Sequence, residues 1–308
     1  MTVEISPSIA VEEIKLRVLA LDGFTLGATL YCSSGSPEPS TVVLLSCGGG
    51  VPAARYARFA RFLAASSIPV LTFDYRGIGA SRTAGLRGVR AVAEDWSELD
   101  CGGAITHLRT RYPSAEIVGV AHSIGTLLMG GAPNVGIISR FVFLCAHTGY
   151  YADYESRYRL PMAVLWHGVM PVLTRIFGYF PARLLGLGED IPAGIALQWA
   201  ARRSPEFRPE ATDTNSGRAK SMISRYQTVR GQVLQIGFTD DAFATRAGGS
   251  RLISAFPELR PVRIEITPQQ AGMSEIGHFG FFRRGGANRL WPFVVGYIRT
   301  GISTFPFP

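Results

Sequence analysis

Lysine is nearly missing from this sequence. Only Lys15 and Lys220 among its 31 basic residues are lysines, and the arginines are scattered from end to end. The net charge of +8 therefore forms no run that would track a phosphate backbone, and nucleic-acid binding is not expected. The tightest group, Arg55, Arg58 and Arg61, has helical spacing and reads as a solvated face beside Tyr56, Phe59 and Phe62. Cysteine is scarce too. Cys32, Cys47, Cys101 and Cys145 stand far apart, with no CxxC pair and no Cys/His spacing suited to a metal. At 308 residues no disulfide framework is needed, so a reducing, cytoplasmic setting is expected, with no metal or other cofactor.

Charged residues are few as well, 18% against 47% hydrophobic. That balance supports a substantial core and excludes global disorder. The opening stretch MTVEISPSIAVEEIKLRV carries acids and no apolar core, unlike a signal peptide. The most apolar long segment, Leu160 to Gly188, is interrupted by Pro161, His167, Pro171, Arg175, Pro181 and Arg183. It lacks the unbroken run of about 20 apolar residues that spans a bilayer, so no transmembrane segment is expected. There is no internal repeat and no low-complexity stretch.

What the chain does contain is alternation. Short apolar runs at 41–46, 70–73, 116–120, 138–144, 232–238 and 262–266 are separated by amphipathic stretches at 53–65, 89–109 and 247–255. This is the pattern of an α/β fold with a mostly parallel, doubly wound sheet. A hairpin around Asp22-Gly23 opens it, and a helix near 291–299 closes it. Between about Ala146 and Ser216 the rhythm stops, and the chain becomes aromatic and Pro-interrupted. That predicts a helical lid, residues 146–216, inserted into a core made of 1–145 and 217–308.

The chemistry gathers where the strands end. Ala121-His122-Ser123-Ile124-Gly125 follows the apolar run IVGV and leads directly into TLLM. A serine at so sharp a strand-to-helix turn needs small residues two before and two after it, and Ala121 and Gly125 qualify. The pentapeptide alone is equally a turn that happens to contain serine. A serine hydroxyl needs a base, and the base needs an acid to fix its tautomer. Asp240-Asp241 follows the strand VLQIGF, and His278 lies in a loop after the next strand. Three such residues in order, each at a strand end, favour Ser123 as nucleophile, Asp241 as acid and His278 as base. Asp241 is preferred to Asp240 because Asp-Ala-Phe-Ala opens the following loop. The other histidines have weaker claims: His107 in a charged helix, His122 inside the elbow, His147 and His167 in the insertion.

Backbone N–H groups should stabilise the oxyanion. One is expected from Ile124 and the other from Gly48 or Gly49, a choice that the sequence leaves open. The glycine run lacks the Gly-Lys-Ser/Thr of a phosphate-binding loop, which argues against nucleotide cradling there.

With Asp74-Tyr75-Arg76-Gly77-Ile78-Gly79-Ala80-Ser81 added to AHSIG, TDDAF and IGHFG, nearly the whole chain resembles the α/β-hydrolase superfamily. Within it the chain is similar to bacterial serine-aminopeptidase-like and lysophospholipase-like proteins with a helical lid. Ala121 stands where glycine is usual, and CGGG replaces a common His-Gly pair. The resemblance implies hydrolysis through an acyl-enzyme, with the Asp74 and Arg76 side chains structural. The insertion's aromatics, Tyr150, Tyr151, Tyr154, Tyr158, Trp166, Phe177, Tyr179, Phe180 and Trp199, suggest a small-molecule ester or thioester with an apolar acyl group. Contact with a membrane surface is compatible with the arginine content. Acyl transfer by the same residues, and non-catalytic binding of a hydrophobic ligand, are the alternatives.

Overall fold

The strand-forming runs are apolar on both faces because both faces are covered. Thr41–Ser46 is buried at every position, as a strand sandwiched between helix layers must be. In the computed structural model, which describes residues 10–34, 37–82, 85–202 and 216–306, the strands are β1 (Val11–Leu19), β2 (Thr25–Ser33), β3 (Thr41–Ser46), β4 (Val70–Phe73), β5 (Glu116–His122), β6 (Ile138–Leu144), β7 (Tyr179–Phe180), β8 (Ile191–Pro192), β9 (Gly231–Phe238) and β10 (Leu259–Ile266). The helices are α1 (Ala57–Ala65), α2 (Gly102–Arg111), α3 (Gly125–Gly130), α4 (Ser156–Val164), α5 (Met170–Phe177), α6 (Ala193–Ala201), α7 (Ser216–Tyr226), α8 (Arg246–Ser254) and α9 (Trp291–Thr300).

Eight strands form one sheet in the order β1-β2-β4-β3-β5-β6-β9-β10. Only β2 runs against its neighbours; from β4 to β10 every pairing is parallel. The mostly parallel α/β sheet expected from the sequence is the one found. From β3 the chain steps first outward to β4 and then back past β3 to β5. Right-handed crossovers in opposite directions put α1 and α2 on opposite faces. Strand order therefore reverses beside β3 and β5, where a crevice opens at their carboxyl ends.

Three local expectations need correction. The helix read from Val89 begins later, because the Asp95 carboxylate accepts the Val92 N–H at 3.0 Å and caps the chain there; its first turns, Asp95–Cys101, are π-helical. The insertion is not wholly helical, since β7 and β8 pair as a short antiparallel ribbon. Pro161 and Pro171 do not break the segment they occupy. Ser156–Phe177 is one helix of 22 residues, long and apolar enough by length and composition to cross a membrane. A wide π turn at Leu165–Val169 relieves the clash that Pro171 would make with the carbonyl four residues before it. Its outward side exposes Leu160, Val164, Val172 and Ile176, while its inward side carries Met162, Leu165, Trp166 and Met170 over the crevice. Residues 203–215 of the expected lid lie outside the described residues.

Candidate active site

Ser123 sits between β5 and α3 with φ of 57°, a left-handed conformation that is strained for a non-glycine residue. The turn is held from both sides. The Ser123 N–H donates to the Leu144 carbonyl at 2.9 Å. A Cβ on Gly125 would lie 2.3 Å from the Cys47 carbonyl oxygen, so only glycine lets α3 start this close to β3. Below, Tyr75 Oη lies 2.6 Å from Ser46 Oγ, which donates to the Gly125 carbonyl at 3.0 Å. The DYRG turn thus braces the elbow. Its Asp74 and Arg76 are committed elsewhere: Asp74 accepts the N–H groups of Ala53 and Ala80, and Arg76 bridges Asp22 and buried Asp100.

The structure brings Ser123, Asp241 and His278 together. His278 Nε2 is 3.1 Å from Ser123 Oγ, and His278 Nδ1 is 2.8 Å from Asp241 Oδ2. Asp241 Oδ1 accepts the N–H groups of Phe243 and Ala244, both at 2.9 Å. Burial alone would raise this carboxyl, but the His278 hydrogen bond and charge and the two N–H donors outweigh it. Together they hold it well below the usual carboxylate range. An ionised Asp241 keeps the proton on Nδ1 and leaves Nε2 free to accept from the serine. Asp240 does something else. Its Oδ2 accepts the Ile276 N–H at 2.7 Å and ties down the loop that carries His278.

Of the two glycines considered for the oxyanion, Gly48 donates its N–H to Tyr56 Oη at 2.9 Å. Gly49 is left facing the cavity, packed so closely that a Cβ would lie 2.7 Å from Trp199 and 2.8 Å from Ile124. Ile124 occupies the N-cap of α3. His122 supports the turn. Its Nε2 donates to the His278 carbonyl at 2.9 Å and its Nδ1 accepts from Tyr56 at 2.9 Å.

Sequence reasoning passed over His147. Its Nε2 lies 2.9 Å from Ser123 Oγ, and its Nδ1 accepts the Gly149 N–H at 2.9 Å. That bond leaves Nδ1 without a proton, so Nε2–H is the donor. Burial, followed by the nearby charge of His278, drives the His147 pKa down to about 3, which makes it a neutral donor at working pH. The serine oxygen thus accepts from one imidazole and donates to the other. The available signal was position: His147 stands three residues past the end of β6, at the same sheet edge as the other site residues.

His122, Cys145 and His278 place ligand-type atoms within 4.8 Å of one another. They are poor metal ligands as arranged. Both His122 nitrogens and His278 Nδ1 are engaged, and burial, with Asp241 beside it, raises the Cys145 thiol well above its ordinary pKa.

The serine opens into a cavity of about 600 Å³. Of the aromatics expected to roof it, Tyr154, Trp166, Phe180 and Trp199 line it. Tyr150, Tyr151, Tyr158, Phe177 and Tyr179 lie outside its lining. Met162, Leu165, Met170, Ile191 and Phe243 complete the apolar wall. Arg202 is its buried cation, its pKa lowered to about 10 by burial, and it donates to the Thr148 carbonyl.

A mostly parallel eight-stranded sheet with a strained serine between β5 and α3 is the α/β-hydrolase fold. Residues 37–132, less than a third of the chain, match the family described as serine aminopeptidase, S33. Among solved structures the chain is similar to an esterase of Pyrococcus furiosus at 15% identity and a TM-score of 0.58, covering 94% of this chain and 91% of that one. It is similar to a puromycin hydrolase at 16% identity and a TM-score of 0.58, covering all of this chain but 42% of that one. It is also similar to Est1E of Butyrivibrio proteoclasticus with bound ferulic acid, at 12% identity and a TM-score of 0.57, covering 92% and 96%. At such identities the likeness is one of fold. No curated protein matches the sequence.

Proposed function

We propose that the protein is a serine hydrolase that cleaves an ester or thioester with an apolar acyl group through an acyl-enzyme on Ser123. The observation that carries this is the unbroken hydrogen-bond path from Ser123 through His278 to Asp241 at the floor of an apolar cavity. Ser123 Oγ attacks the carbonyl carbon as His278 Nε2 takes its proton, and Asp241 stabilises the resulting imidazolium. The N–H groups of Ile124 and Gly49 receive the oxyanion. His278 then protonates the leaving group, and a water activated by the same imidazole releases the acid. During release Ser123 Oγ is itself the leaving atom, and it takes back the proton that His278 drew from the water. His147 Nε2–H donates to the charge that develops on it.

An aminoacyl substrate is the other reading, since the matched family is named for aminopeptidases. Its ammonium would need a carboxylate. Glu189 is the carboxylate in the cavity lining, and it is bound by Arg183 and within 3.7 Å of Arg82. That favours an uncharged acyl group.

The test is labelling with a fluorophosphonate, run beside p-nitrophenyl esters of graded length and an aminoacyl p-nitroanilide. Labelling that is lost in Ser123→Ala, with ester turnover exceeding anilide turnover, supports the reading. Labelling retained in Ser123→Ala, or faster anilide cleavage, overturns it.

A further inference from the structure

The arginine group at 55, 58 and 61 is not simply a solvated face. Arg61 pairs with Glu13 of β1, and across from the row lies a second basic row. Lys15 and Arg17 alternate with inward residues along β1 and so share its outer face with Glu13. Between β1, β2 and α1 lies a cleft of about 910 Å³, larger than the cavity over Ser123. Lys15, Arg17, Arg55, Arg58, Arg61 and Arg283 line it. Its two carboxylates are spoken for: Glu13 by Arg61, and Asp74 by the backbone of Ala53 and Ala80. Arg17, Arg55 and Arg58 have no acidic partner among the described residues. Like charges gathered without counter-charge repel one another, and a bound anion would relieve that cost.

The cleft also adjoins the catalytic cavity. Pro52, Arg55 and Phe279 belong to both its wall and the wall of the Ser123 cavity. Phe279 adjoins His278, and its ring carries the Arg55 guanidinium 4.2 Å away. The side of the catalytic cavity under residues 162–170 is lined by apolar side chains and suits the acyl group, so the neighbouring cationic cleft is where the leaving side of a substrate would find polar partners.

We infer that the cleft binds phosphate groups on the leaving portion of the substrate, and that the acyl group reaches Ser123 as a thioester of a phosphorylated, nucleotide-type carrier. Arginine forks match phosphate oxygens in pairs, and a basic patch confined to one cleft suits a compact anion rather than a polymer. The inference rests on the acyl-enzyme reading above. In the step itself, Oγ bonds to the carbonyl carbon, the C–S bond breaks, and the thiol departs with the proton that His278 took from the serine. Water then cleaves the ester to the free acid.

The test compares kcat/KM for octanoyl-coenzyme A and octanoyl-N-acetylcysteamine, which share the thioester and differ in phosphates. Two charge-assisted contacts predict a preference of at least about 100-fold for the phosphorylated substrate, expressed in KM and weakened by salt. The ratio should collapse by at least about tenfold in the double variant Arg17→Glu/Arg58→Glu. A ratio near one in the wild type, with both substrates turned over, overturns the inference and leaves the hydrolase reading intact. If neither thioester reacts and Ser123 takes no label, the hydrolase reading has failed instead. The cleft is then judged by calorimetric titration of coenzyme A into Ser123→Ala: binding lost in the added double variant sustains the anion site, and no binding refutes it.

Discussion

Replacing Asp241 by asparagine removes one charge and no volume, and the hydrogen bonds around it determine the effect. The carboxylate accepts three N–H groups: those of Phe243 and Ala244 on Oδ1 and that of His278 on Oδ2. Asparagine has one oxygen. With that oxygen in the Oδ1 position it keeps both backbone bonds and presents its NH₂ to His278 Nδ1. The ring must then carry its proton on Nε2. Both imidazoles would then donate to Ser123 Oγ, since His147 already does, and the hydroxyl would have no acceptor. The flipped amide restores the tautomer only by setting its NH₂ against two buried N–H groups. Each unmet donor costs about 1–3 kcal/mol, so the flip costs about 2–6 kcal/mol.

Asp241→Asn should therefore lower kcat/KM for a short p-nitrophenyl ester by roughly 10³ to 10⁴-fold, with the fold retained by circular dichroism. Asp240→Asn should stay within about threefold, because an amide oxygen can still accept the Ile276 N–H, one neutral-for-charged exchange of about 0.7 kcal/mol. A loss under tenfold for Asp241→Asn, or the opposite ranking of the two, would refute the tautomer argument.

His147→Phe keeps an aromatic ring in the site and deletes the second donor to Ser123 Oγ. Deacylation should slow by about tenfold, one hydrogen bond's worth, and more than acylation does, so the p-nitrophenolate burst should sharpen; equal slowing of both steps would contradict the role given to it. Acid stability offers a separate check. His147 is buried neutral at about pKa 3 against an ordinary 6.5, so between those values the unfolded chain binds the extra proton. The stabilisation is complete above pH 6.5 and drains away as pH falls toward 3. Urea midpoints should drop from pH 7 to pH 5, and His147→Phe should flatten that slope; an unaltered slope would mean that the imidazole is not buried. In the lid, Trp166→Ala should shift the preferred ester length, each methylene being worth about 0.8 kcal/mol, or roughly fourfold in kcat/KM. A chain-length profile identical to the wild type would remove Trp166 from the acyl pocket.

Much of this was legible in the sequence because local chemistry and global fold agree there. TVVLLS, VLTF and ISRFVFL can only be buried strands, and their bounds match the structure residue for residue. Ser123, Asp241 and His278 were readable as a set because each follows a strand of the sheet, and the structure brings them within hydrogen-bond reach. His147 was hidden by the same logic. It lies where the strand rhythm stops, and the break in rhythm drew it into the insertion. Gly48 and Gly49 could not be separated because the distinguishing partner, the Tyr56 hydroxyl, comes from a helix-forming segment eight residues on. The long helix at 156–177 was misjudged because proline is counted as a breaker without regard to a π turn that makes room for it.

Under the proposed mechanism, the insertion and the chemistry meet at a residue with no side chain. Gly49 is needed because Trp199, from α6 of the lid, and Ile124, from the elbow, approach its Cα position from two sides. The two residues proposed as oxyanion donors, Ile124 and Gly49, thus meet at a position that Trp199 also crowds. Trp166 lines the cavity, whereas Trp199 both lines it and presses on the glycine loop. A change in how the lid seats on the core would then move the oxyanion donors as well as the pocket volume. Under the proposed mechanism, selection of the acyl group and stabilisation of the charge it develops would both depend on this one contact.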